Sequence, residues 1–64
     1  MTYLEILGYA RKGIKAEQDK LREMQERAIE GGAHALMRTL QEEIDSLDVK
    51  AATLDELEEI HNRK

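Results

Sequence analysis

Sixty-four residues make one domain at most, and 14 Asp+Glu against 10 Lys+Arg leave a net charge of −4, which excludes a large enzyme and a generic polycation for nucleic acid. Cysteine is absent, so neither a disulfide framework nor a thiolate metal site staples the chain, and its redox compartment stays open. With no Phe, Trp or Pro, two Tyr, 41% hydrophobic and 38% charged residues, the composition is that of an all-α, coiled-coil-like chain.

The first predicted helix spans about 3–30. Thr2 followed by Glu5 fits a capping box, in which the hydroxyl accepts the backbone N–H of Glu5 and the carboxylate reaches back to the cap. From there Tyr3, Leu7, Ala10, Ile14, Glu17, Leu21, Met24 and Ala28 recur in alternating steps of four and three, which keeps one stripe apolar with Glu17 as its single interruption. A polar residue in such a seam sets register or marks an opening of the oligomer. Gly31 and Gly32 end the helix, because glycine enters the left-handed turn past a helix terminus most cheaply.

The second helix is predicted over about 33–52, with Ala33, Met37, Leu40, Ile44, Leu47, Ala51 and Leu54 repeating the same rhythm. Thr53 with Glu56 makes a second capping pattern, and the apolar positions shift to Leu54, Leu57 and Ile60. This segment, about 54–62, is either a kinked continuation or a separate short third helix. Folding at the glycines sets Tyr3, Leu4, Ile6 and Leu7 opposite Leu54, Leu57 and Ile60. The expected fold is an antiparallel helical hairpin whose seam contains Leu7, Ile14, Leu21, Met24, Leu40, Ile44, Leu47 and Leu54.

Ordering 64 residues at about 1.5 kcal/mol each costs on the order of 100 kcal/mol, and two helices bury one stripe apiece. Leu4, Ile6, Leu36 and Leu57 widen the apolar stripe beyond one partner helix. The chain is therefore expected to homo-oligomerise, as a dimeric four-helix bundle or a higher assembly. In size and layout this is similar to the plasmid copy-number proteins of the Rop family, with no shared sequence motif.

Two charged regions are candidates for function. Tyr9, Arg11, Lys12 and Lys15 form a basic segment with Gly8 and Gly13, uninterrupted by acid, in which cations hold a phosphate and Tyr9 offers a stacking face for a small anionic ligand or RNA. Alternatively the glycines only ease helix packing. Residues 33–64 carry eight acidic side chains against four basic ones, and Glu42, Glu43, Asp45 and Asp48 form an acidic surface suited to a basic groove on a protein partner.

Glu58 and His61 have the Glu-x-x-His spacing of four-helix di-iron proteins, but the hairpin register sets Glu17 near Ser46 and Glu58 near Glu5, so no metal site is expected. His34 reads as a neutral turn residue, and the threonines as caps. With no nucleophile or acid–base set, the expectation is a non-enzymatic protein without cofactor, of a kind that phage and plasmid genes supply, which binds itself and binds or inhibits a macromolecular partner. The alternative is an oligomeric sponge for a phosphate-bearing small molecule or RNA. No apolar run suits a signal peptide or approaches the roughly 20 residues of a membrane span, so a cytoplasmic location is expected.

Overall fold

The computed structural model describes residues 1–63. Two helices, α1 (Tyr3–Glu30) and α2 (His34–Arg63), lie antiparallel in a hairpin about 50 Å long and 18 Å wide. Thr2 caps α1: its backbone is extended and its Oγ1 accepts the Glu5 N–H at 3.2 Å. The second half of the expected capping box takes another form, since the Thr2 hydroxyl also donates to Glu5 Oε1 at 3.2 Å.

The turn is a Schellman motif. Ala33 N–H reaches back to Ala28 O at 2.8 Å, Gly32 N–H reaches Ile29 O at 3.1 Å, and Gly32 takes φ +74°. Gly31 keeps a right-handed conformation, so of the two glycines only Gly32 uses the freedom to enter the left-handed region. Ala33 lies outside α2 and accepts the first bond of that helix from Met37 N–H at 3.0 Å.

α2 runs unbroken to Arg63, so of the two alternatives at Thr53 the segment 54–62 is a continuation of α2 and not a separate third helix. Thr53 does not cap a third helix; its hydroxyl donates to Val49 O at 3.1 Å, one turn back, as Thr39 does to Ala35 O. A hydroxyl that bonds the preceding turn leaves the helix intact, which is why a capping pattern in sequence does not interrupt this one.

The apolar core is small. Leu7, Ala28, Leu40 and Ile44 are buried, and Ile14, Leu21, Leu47 and Leu54 are half-buried between the helices. Along α2 the contact line follows Met37, Leu40, Ile44, Leu47, Ala51 and Leu54 and then ends on half-buried Glu58. Along α1 it follows Leu7, Arg11, Ile14, Gln18, Leu21, Gln25 and Ala28, so the spacing of four and three holds but the phase differs from the apolar stripe. Glu17 and Met24 do not enter the seam: both are exposed, and Gln18 is the buried polar residue, at 8% exposure.

The glycines give the first expectation. Gly32→Ala should destabilise the hairpin by about 1 kcal/mol, because alanine is strained at positive φ. A Cβ at Gly13 meets open space, so Gly13→Ala should stabilise α1 by about 0.5–1 kcal/mol. Urea unfolding followed by circular dichroism reads both signs.

Candidate functional site

Heptad spacing gives each helix rows of side chains, and the rotation of α1 decides which rows face α2. One row, Arg11, Gln18 and Gln25, turns toward a polar row on α2, Gln41, Asp48 and Asp55. Gln25 Nε2 donates to Gln41 Oε1 at 2.8 Å and to Met37 O at 3.4 Å. Gln18 repeats the arrangement one heptad on, donating to Asp48 Oδ1 at 2.6 Å and to Ile44 O at 3.2 Å. In both, one amide group straddles a carbonyl of α2 and the side chain four residues later.

The third rung is ionic. Arg11 Nη2 donates to Glu58 Oε2 at 2.6 Å, and Arg11 Nε donates to Asp55 Oδ1 at 3.2 Å. The hydrogen bond that Arg11 donates to Glu58 pushes its pKa above the ordinary value, against a smaller opposing effect of desolvation, with the charges of both carboxylates and the bond to Asp55 adding to the upward shift. The guanidinium is thus held in its charged form by the two carboxylates. Each rung moves seven residues back on α1 and seven forward on α2, so a single register satisfies all three.

This side of the hairpin continues into a shallow groove lined by Lys15, Gln18, Arg22 and Asp55 together with Ile14 and Ala51. The opposite side is different. Tyr3, Ala10, Glu17 and Met24 form the α1 row flanking Leu7, Ile14 and Leu21 on that side, and Leu36, Glu43, Lys50 and Leu57 form the matching row of α2. Tyr3 is 41%, Met24 40%, Leu36 49% and Leu57 38% exposed. At the open end Tyr3 packs on His61 with ring centroids 4.8 Å apart, in a shallow cleft shared with Leu57 and Ile60. The widened apolar stripe read from sequence is thus split: half lies within the hairpin and half lies bare on one side of it.

The basic segment is divided in the same way. Arg11 points between the helices to its two carboxylates, whereas Lys12 lies over the Tyr9 ring, 5.7 Å from its centroid. Tyr9 and Lys12 share a shallow cleft with Gly8 and Glu5, and Lys15 lies on the polar groove. The four candidates do not converge on one point. Likewise Glu42, Glu43, Asp45 and Asp48 are all exposed but point around the helix: Asp48 is held by Gln18, Asp45 accepts from Gln41 Nε2 at 2.9 Å, and Glu43 lies in the flanking row of the apolar side.

Among the described residues no group of three or more His, Asp or Glu is placed to hold a metal ion. Glu58 meets Arg11 rather than Glu5, the consequence of the rotation of α1. No helix of the described residues is long and apolar enough to cross a membrane. The polar rungs were missed in sequence because Gln18 and Gln25 interrupt no apolar run. Their signal is the seven-residue recurrence of Arg11, Gln18 and Gln25 beside that of Gln41, Asp48 and Asp55.

The middle rung is testable. Gln18→Glu removes the amide donor and sets a second carboxylate against Asp48, so it should cost about 1–3 kcal/mol at neutral pH. The loss should shrink in acid as the pair gains a proton, and a pH series of urea unfolding curves for the variant against the parent checks this. Comparison with protein-family models, with curated proteins and with solved structures finds no match to this chain.

Proposed function

We propose that the chain is a non-enzymatic interaction protein that assembles with copies of itself through the apolar side of the hairpin, forming a helical bundle whose charged outer faces bind a macromolecular partner and block it. The exposed row of Tyr3, Met24, Leu36 and Leu57 carries this reading. The chain exposes 5025 Å² of surface, against about 4,200 Å² for a compact monomer of 7.4 kDa. Self-association covers the excess where it is apolar.

The charged groups along the polar rungs support a binding role over a catalytic one, because they are engaged within the hairpin. Glu58 and Asp55 hold Arg11, and Asp48 holds Gln18. Glu42 forms no ion pair among the described residues and lies off the flanking row of the apolar side, which leaves it open to a basic partner.

Sedimentation equilibrium tests the assembly. The parent should sediment as a multiple of 7.4 kDa, and Met24→Glu with Leu57→Glu should sediment at the monomer mass. A parent that stays monomeric across the concentration range overturns the reading.

A second reading rests on Lys12 over Tyr9 beside Gly8, where a Cβ meets nothing and the backbone is open. This is a surface on which a nucleotide-like ligand stacks and finds one cation, with Arg11 excluded by its own ion pairs. Calorimetric titration with nucleoside monophosphates should give binding heat that Tyr9→Ala with Lys12→Glu abolishes. No heat with the parent sinks this second reading.

A further inference from the structure

We propose that the occupant of the apolar side is a second copy of this chain packed with both glycine turns at the same end, so that α1 of each copy lies on α2 of the other and Glu17 meets Lys50 of the partner subunit. This rests on the self-assembly proposed above and adds its orientation. One whole side of a hairpin about 50 by 18 Å is on the scale of the roughly 800 Å² per partner that a stable interface buries.

Register supplies the argument. Gln18 pairs with Asp48, so Lys50, two residues farther along α2, lies level with Ala16 and Glu17 of α1. Glu17 and Lys50 both belong to the flanking rows of the apolar side, both are exposed, and among the described residues neither forms an ion pair within the chain. Apolar residues bracket them, with Tyr3, Leu57 and Ile60 toward the open end and Met24 and Leu36 toward the turn. The centre of this side thus carries a cation and an anion at one height on different helices, and the one other charge in the two flanking rows is Glu43, one heptad nearer the turn than Lys50.

Two stackings about a twofold axis bring the apolar sides together. With the turns at opposite ends, each helix lies on its own copy, and Glu17, at the middle of α1, faces the partner's Glu17 across the axis. That apposition of like charges is unfavourable. With the turns together, α1 lies on α2 of the partner, and the common height of Glu17 and Lys50 makes two symmetric ion pairs. The apolar ends then meet apolar ends.

Charge reversal separates the arrangements. Glu17→Lys and Lys50→Glu should each weaken the parent dimer about tenfold or more, and the double variant should recover most of the loss. Sedimentation equilibrium reads the dissociation constants, and circular dichroism confirms that each variant keeps its helices. If Glu17→Lys leaves the dimer unchanged, or the double variant is no tighter than Lys50→Glu alone, the turns are not together and this proposal falls while self-assembly stands. A parent monomer overturns both. Because the chain has no native cysteine, Glu17→Cys mixed with Lys50→Cys gives a second readout. Disulfide-linked heterodimers should form in the mixture, and linkage within the Glu17→Cys variant alone overturns the orientation.

Discussion

The rotation of α1 about its own axis depends on the three polar rungs. An α1 turned to bury its apolar stripe symmetrically would turn Glu17 into the seam against α2, and taking a carboxylate out of water costs more than burying a neutral amide. Turning the other row inward buries Gln18 instead, a neutral amide that donates to a backbone carbonyl and to Asp48 at once. No buried side-chain polar atom of the described residues lacks a partner. Satisfaction of hydrogen bonds therefore outweighs part of the available apolar burial.

The same rotation makes the two sides of the hairpin unlike. On one, Arg11, Gln18 and Gln25 engage Asp55, Glu58, Asp48 and Gln41, and the surface is polar. On the other, Tyr3, Met24, Leu36 and Leu57 stand partly bare beside the core leucines. A hairpin with an apolar seam in perfect phase would have hidden these residues and left two equivalent sides. Here the polar rungs spend half of the seam on specificity of register, and the displaced apolar half becomes available to an external surface. The basis of the proposed assembly and the basis of the hairpin register are one arrangement seen from opposite sides.

Much of the fold was legible because its signals are local: Thr2 before Glu5, the glycine pair, and an apolar period of three and four over each helix. The α2 seam from Met37 to Leu54 follows that period directly. The α1 seam does not, because a stripe of hydrophobicity locates a face only to within a neighbouring row, and the choice between Glu17 and Gln18 depends on groups across the hairpin. Thr53 left two alternatives open for a related reason. Its hydroxyl has two uses, capping a new helix or bonding the turn before it, and only the surrounding backbone decides. The basic segment read as a unit along the chain, but Arg11 and Lys12 point to different sides, so adjacency in sequence did not become adjacency in space.

The spacing of the rungs also orders the way the hairpin closes. Gln25 and Gln41 are 16 residues apart in sequence, Gln18 and Asp48 are 30 apart, and Arg11 and Asp55 are 44 apart. Loop-closure entropy rises with the length enclosed, so the rung nearest Gly32 forms at the lowest entropic cost, and each completed rung shortens the search for the next. Loop-closure entropy thus favours closing the hairpin from the turn toward Tyr3 and His61. Opening runs in reverse, and the end with the exposed aromatic and aliphatic side chains is the first to part.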